Sequence, residues 1–479
     1  MSIKLQQIDA NRWRIPREGR MLVDGLIYAS AAMMAELRDD ASLAQVKNVA
    51  HLPGIVAASI AMPDIHWGYG FPIGGVAAMD AEQGVVSPGG VGYDINCGVR
   101  LLRAPLMHDE IADRIPAIVE ELFERVPTGM GAHRRDALSS RDLQEVLRRG
   151  AAWAVERGLG TENDLAHLEE RGCLAGADPA YVSARALERG RSQLGTLGSG
   201  NHFAEIQCVE EVFDERAAAA FGLSRGQITI MIHSGSRGLG HQVCEDHLRL
   251  MIEAVRKYGI ALPDRQLCCA PLGSPEAKQY LAAMAAAANF AFANRQVMAH
   301  RIRESFARVL GGTPEQTGIE TVYDVCHNIA KFETFEVDGR PRRLCVHRKG
   351  ATRAYPPGHP DTPAPYREVG QPVLVPGDMG RASYVLAGTP RAMTETFGSS
   401  CHGAGRRLSR SQARRQSAAR RVLDDLKSRG VAIRAAGMAT VVEEVPEAYK
   451  DVSDVVGVMH TAGISTKVAR LRPVGVIKG

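Results

Sequence analysis

Three β-rich runs in this chain each empty into a loop of glycine and polar residues. Residues 227–232 lead into His233-Ser234-Gly235-Ser236-Arg237-Gly238-Leu239-Gly240, residues 321–325 into Cys326-His327-Asn328, and residues 373–375 into Pro376-Gly377-Asp378-Met379-Gly380. Loops at strand ends commonly deliver functional side chains, so these mouths are where chemistry is expected. Between them lie helical stretches. Ser274-Pro275 predicts a helix start, the alanine-rich segment continues to Val309-Leu310, and Gly311-Gly312 ends it. A second helix is predicted to follow His241 and close at Gly259. Strands and helices alternate irregularly, which predicts a mixed α+β architecture rather than a doubly wound sheet.

No linker or internal repeat divides the 479 residues, so residues 1–479 are read as one intertwined domain. With 45% hydrophobic and 23% charged residues the chain falls in the globular range, and a formal charge of +4 is too small to argue for nucleic acid by itself. Nine scattered cysteines without a Cys-x-x-Cys pair disfavour a disulfide framework or a zinc ribbon. With no apolar leader and no run long enough to span a bilayer, a cytoplasmic protein without membrane attachment is expected.

The common nucleotide cradles are missing. There is no Gly-Lys dipeptide, so a Walker loop is excluded, and the GxGxxG fingerprint fails at Gly68-Tyr69-Gly70 and Gly198-Ser199-Gly200. Neither Asp24-Gly25 nor Asp338-Gly339 has a lysine two positions earlier, which removes the lysine nucleophile of ordinary nucleotidyl-transferring ligases. Nucleotide chemistry here would need another nucleophile.

In the glycine-rich segment 87–99, Asp94 and Cys97 stand three residues apart, and His202, His233 and His327 each fall at a loop or strand end. One carboxylate, one thiol and three imidazoles form a mixed oxygen, sulfur and nitrogen set that suits Mn²⁺, Fe²⁺, Co²⁺ or Zn²⁺, and a thiolate can bridge two ions. Spacing does not decide between this set and a plainer one in which Cys97 is a small buried side chain and the histidines bond loop carbonyls. The segment Gly398-Ser399-Ser400-Cys401-His402-Gly403-Ala404-Gly405 places an imidazole directly before small residues that let backbone approach a ligand. A helix is predicted from Arg406, with its N-terminus available to phosphate. A neutral imidazole is a competent nucleophile toward phosphorus. From Arg406 to Arg421 there are seven arginines and no acidic residue, a density that favours a polyanion contact.

These residues resemble the RtcB-type family of GTP-dependent RNA-splicing and RNA-repair ligases. The resemblance runs through Met62–Gly75, Ser87–Leu101, Leu194–Glu205, His233–Val243, Cys326–Glu333, Val346–Ala354, Pro376–Leu386, Ser399–Arg406 and the final Lys478-Gly479. It implies one compact α+β domain of mixed sheets with surrounding helices and a central metal and nucleotide cleft. It implies two Mn²⁺ ions on Asp94, Cys97, His202, His233 and His327, with Cys97 bridging, and His402 as the guanylylated residue. A guanylate pocket is implied at Asn201, Glu205, Asn328, Pro376, Gly377, Asp378, Met379, Ser383, Gly403, Ala404, Gly405, Tyr449 and Lys478. The implied reaction joins RNA 3′-phosphate or 2′,3′-cyclic phosphate ends to 5′-hydroxyl ends, with GTP consumed, tRNA as the expected RNA and an activating protein as a further expected partner. A binuclear phosphoesterase that does not join ends is the alternative. Arg100, Arg237, Arg348 and Arg353 are candidate RNA-phosphate contacts from their place inside the motifs.

Overall fold

The computed structural model describes residues 3–129, 131–133, 137–416 and 419–479, and the side chains of 416–421 fall outside that description. Two large sheets dominate. The first has seven strands in the order Gln6–Gln7, Arg12–Ile15, Asp24–Tyr28, Ile55–His66, Ile73–Asp80, Arg340–Lys349 and Asn328–Val337. All its neighbours are antiparallel except Asp24–Tyr28 and Ile55–His66, which run parallel. The second runs Glu320–Cys326, Gly98–Met107, Gln227–Ser234, Phe203–Val212, Ser465–Lys478, Ser383–Gly388 and Pro372–Val375, with Ala432–Ala435 paired parallel to Ser465–Lys478. Together with the helices this is the α+β class that the irregular alternation predicts.

The sheets are stitched by the chain itself. Glu320–Cys326 belongs to the second sheet and Asn328–Val337 to the first, so His327 is the single residue between them. A two-strand ladder, Ala351–Arg353 with Ser399–Cys401, ends where His402 begins.

The helix Pro275–Leu310 carries the predicted boundaries: the Ser274 hydroxyl accepts from the Ala277 N–H, proline opens the first turn and Gly311 follows the end. Every residue from Ala283 to Ala299 is buried. Burial on all sides marks a core helix, and its alanines allow neighbouring elements to approach closely.

Two predicted boundaries differ. The second helix spans Arg237–Lys257 and begins before His241, because only Gly235 and Ser236 separate it from the preceding strand. The glycines there serve closeness rather than a long loop: a Cβ on Gly235 would stand 2.4 Å from an Asp94 carboxylate oxygen. After His402 the chain first pairs Arg406 with Tyr449, and helix forms only over Arg410–Gln416. The expected phosphate-binding helix end therefore does not lie directly after the histidine. Among the described residues, no helix is long and apolar enough to cross a membrane.

Candidate active site

Strand register assembles the five expected ligands. Gly98 pairs with Ser234 on one side and Cys326 on the other, and His233 pairs with both Val99 and Phe203. Cys97, His202, His233 and His327 thus occupy the same end of four adjacent strands. The Cys97 N–H donates to the Asp94 carbonyl at 2.9 Å, closing a turn that returns both side chains to that end.

The donor atoms converge. Cys97 Sγ lies 3.4 Å from His202 Nε2 and 3.3 Å from His233 Nε2, His233 Nε2 lies 3.3 Å from His327 Nε2, and His202 Nε2 lies 2.9 Å from Asp94 Oδ2. They form two groups that could each hold an ion, Cys97-His233-His327 and Asp94-Cys97-His202, and Cys97 belongs to both.

The protonation pattern suits cations. The His202 Nδ1–H donates to the Leu197 carbonyl at 3.0 Å, which turns Nε2 toward a carboxylate oxygen, where either a proton or a metal ion can sit between the two. Two acceptors at that distance call for a positive charge between them. Asp94 Oδ1 is buried without a hydrogen-bond partner, a further coordination position. Burial drives the His233 and His327 imidazoles well below their ordinary range, so both are neutral and able to ligate at neutral pH. Burial raises the Asp94 carboxyl, but the hydrogen bond and charge of His202 outweigh it and bring it down to about 2. Burial pushes the Cys97 thiol up, the effect that a bound cation reverses.

His402 stands beside this cluster, its ring centroid 4.7 Å from that of His327. The His402 Nδ1–H donates to Asp64 Oδ2 at 2.6 Å, and the same oxygen accepts the His402 backbone N–H at 2.9 Å and that of Gly403 at 3.3 Å. Asp64 is fully buried and Nδ1 is occupied by it, so Nε2 is the nitrogen free to react. Gly405 adopts φ +74°, and a Cβ there would stand 2.2 Å from the Asp64 carbonyl oxygen, so the loop closes on Asp64 only with glycine. Sequence reading missed Asp64: the signal was a carboxylate inside the Met62–Gly75 motif, but nothing local pairs it with a histidine 338 positions away.

A cavity of about 310 Å³ opens over these groups. Asp94, Cys97, His233, His327 and His402 line it, as do Asn201, Glu205, Asn328, Pro376, Gly377, Asp378, Met379, Gly403, Ala404, Gly405, Tyr449 and Lys478. His202 and Ser383 are not on its wall. His202 meets the cluster through Cys97 Sγ and Asp94 Oδ2. Ser383 braces the wall, its hydroxyl accepting from Gln207 Nε2 at 3.1 Å and from the Gly377 N–H at 3.2 Å.

Glu205 and Lys478 both line the pocket and sit on neighbouring strands, with Val476 opposite Glu205. Burial pushes Glu205 up to about 8, against the Gln207 hydrogen bond and the Lys478 charge. Burial lowers Lys478, against Glu444 and Glu205. Asn328 links pocket to metal cluster, donating to the Asp94 carbonyl at 3.1 Å. Lys349 also reaches the cavity and was not anticipated: its ammonium donates to the carbonyls of Tyr69, Phe71 and Gly89, and burial lowers it to about 7.

The expected RNA-phosphate arginines are mostly corrected. Arg100, Arg348 and Arg353 are buried, and each is committed to a carboxylate: Arg100 to Asp324 at 2.8 Å, Arg348 to Glu333 at 2.7 Å and Arg353 to Glu170 at 3.1 Å. A buried, paired guanidinium is a structural tie and is out of reach of RNA. Arg237 differs: it is half-buried and close enough to feel the Asp94 charge. The arginine run is also less bare than its sequence. Arg406 bonds Glu444 at 3.0 Å, Arg414 bonds Glu443, and Arg407 pairs with Glu36 at 3.1 Å. Its continuation through Ser417 and Ala418, and the side chains of Arg420 and Arg421, lie outside the described residues.

A family model described as tRNA-splicing ligase RtcB matches residues 45–479. Among curated proteins, the chain is 56% identical over 478 residues to the tRNA-splicing ligase RtcB of Thermococcus kodakarensis, covering 100% of this chain and 99% of that protein. It is 55% identical to the protein of the same name from Archaeoglobus fulgidus and 53% identical to that from Aeropyrum pernix, each over 99% of both chains.

Proposed function

Because the chain belongs to the tRNA-splicing ligase RtcB family, its activity is RNA ligation, and we propose that it joins RNA ends through a guanylylated His402, with GTP as co-substrate. Residues 1–479 form one catalytic domain in this reading, since the chain passes from the first sheet to the second, returns to the first at His327 and ends in the second. The relatives' name assigns them tRNA splicing, and we extend RNA with a 3′-phosphate or 2′,3′-cyclic phosphate and a 5′-hydroxyl to this chain as substrate.

The observation that carries the reading is the hydrogen bond from His402 Nδ1 to the buried Asp64, on the wall of the cavity that also holds the ligand cluster. With Nδ1–H held by Asp64, His402 Nε2 attacks the α-phosphorus of GTP. The α-phosphorus to bridging-oxygen bond breaks, pyrophosphate leaves and GMP stays on the ring. The RNA 3′-phosphate then attacks that phosphorus and takes GMP, freeing His402. Finally the 5′-hydroxyl of the second RNA attacks the activated 3′-phosphorus and GMP departs. A 2′,3′-cyclic phosphate would first be opened to the 3′-phosphate in the same site.

Asp94, Cys97, His202, His233 and His327 would hold two Mn²⁺ ions, with Cys97 shared between them, in accord with the two donor groups. When bound, such ions offset phosphate charge and acidify a coordinated water or hydroxyl. Glu205, once ionised beside Lys478, would accept from guanine N1–H and the exocyclic amine, a pattern that adenine does not offer. Asn201, Asn328, residues 376–379, residues 403–405 and Tyr449 would enclose the rest of the guanylate, with Ser383 bracing the 376–379 segment from behind.

The test uses α-labelled GTP with Mn²⁺. An acid-labile protein-bound GMP that disappears in His402→Ala supports the proposal. Intact cyclic-phosphate hydrolysis without any adduct would favour the phosphoesterase instead.

A further inference from the structure

The long core helix carries one residue whose hydrogen bonds all end next to the ligand cluster. Arg295 is fully buried, and each of its five guanidinium hydrogens has a partner. Nε donates to Asp324 Oδ2 at 2.9 Å and Nη2 to Asp324 Oδ1 at 2.8 Å. Nη1 donates to the carbonyls of Asn96 at 2.8 Å and Ser234 at 2.9 Å, and Nη2 donates to Asn96 Oδ1 at 3.0 Å.

Two of these partners are chain neighbours of proposed ligands, and the third lies on the strand that leads to another. Asn96 immediately precedes Cys97, Ser234 immediately follows His233, and Asp324 lies on the strand that ends just before His327. Asn96 has a φ of +51°, in the left-handed region that non-glycine residues rarely adopt, and that conformation aims Cys97 back toward Asp94. Both Asn96 bonds to Arg295 hold it there, and Asn96 Nδ2 adds a bond to the Ala288 carbonyl of the same helix at 2.7 Å. A planar fork is required, since lysine supplies three donors from one point and reaches at most part of this set. Arg303, eight residues along the same helix, provides a contrast: it is also buried, but it bonds Asp164 and the Ile319 carbonyl and touches no neighbour of a ligand.

We infer that Arg295 is a positioning residue for the metal centre, its guanidinium fixing the separation of Cys97, His233 and His327 before any ion arrives. Outer groups that orient ligands typically contribute 10–100-fold to metal affinity. The inference rests on the reading of those residues as ligands, so the test is built to separate the two.

Full-length protein is titrated with Co²⁺, following the thiolate-to-cobalt charge-transfer band that reports Cys97 bonding. Arg295→Lys, which keeps the charge and loses the fork, is expected to weaken Co²⁺ binding by about 10–100-fold and to diminish the band at saturation. Arg303→Lys is expected to lower the melting temperature while keeping Co²⁺ affinity within about twofold of wild type, since its bonds end away from the ligands. Wild-type affinity and band in Arg295→Lys would overturn the positioning role. A wild-type protein without any thiolate band would overturn the ligand reading itself and the inference with it. Should Arg295→Lys not fold, Asn96→Gly decides: glycine tolerates the left-handed backbone and removes only the side-chain bonds. Weaker Co²⁺ binding there supports the clamp, and unchanged binding refutes it.

Discussion

Asp64 Oδ2 accepts three hydrogens from the His402 segment: the ring Nδ1–H at 2.6 Å and the backbone N–H groups of His402 and Gly403. One buried carboxylate oxygen therefore fixes the tautomer, the ring plane and the loop together.

Replacing it separates charge from shape. Asp64→Asn keeps the size but offers the ring an ambiguous partner, and a comparable loss of imidazole tautomer control costs about 10⁴-fold in serine proteases. We expect single-turnover formation of the GMP adduct to fall by about 10³–10⁴-fold while the melting temperature changes little. A rate within tenfold of wild type would remove Asp64 from the proposed mechanism.

Cys97 is the one donor common to both candidate groups. Cys97→Ala should therefore lower bound metal at both positions, read by elemental analysis of protein equilibrated with Mn²⁺, and abolish both guanylylation and ligation. Normal activity in that variant would exclude the shared thiolate.

Glu205 gives a pH signature. Burial pushes it up to about 8, so over the range between its ordinary value and about 8 the folded protein holds a proton that the unfolded chain has lost. The stability this proton provides is complete below the ordinary carboxylate range and is lost as pH rises through about 8. Glu205→Gln has no such titration, so its melting temperature should gain on wild type as pH is raised from about 6 to about 9. The same variant should lose discrimination of GTP over ATP by about 10²-fold or more, since a buried acceptor matched to guanine is gone. A melting-temperature difference that is flat with pH would contradict the raised carboxyl.

Arg348 tests the reassignment of the buried arginines. Arg348→Ala strips the buried Glu333 side chain of both its guanidinium hydrogen bonds and leaves it only the more distant Lys331 ammonium at 3.6 Å, and the expected loss is about 3 kcal/mol in denaturant unfolding. RNA affinity of the folded variant should match wild type. A selective loss of RNA binding without loss of stability would restore Arg348 as a phosphate contact.

The residues themselves determined what depends on near neighbours. The helix Pro275–Leu310 was legible because its cap, its proline and its terminal glycines act within a turn of the ends they set. Residue types in the glycine-rich segment 87–99, at strand ends and in the loop after Gly398 likewise picked out the five candidate ligands and His402, and the family resemblance gave them roles. Tertiary structure decided what depends on distant partners. Asp64 became the companion of His402 only through the approach that Gly405 permits. Arg100, Arg348 and Arg353 looked like phosphate contacts until the fold supplied a carboxylate to each, and the basic run met Glu443 and Glu444 only across a loop. The helix at Arg237 starts early because the chain must turn at once to admit the Asp94 carboxylate against Gly235. Caps and breaks are short-range and written in order along the chain. The charge state and reach of a side chain are set by whatever the folded chain packs against it.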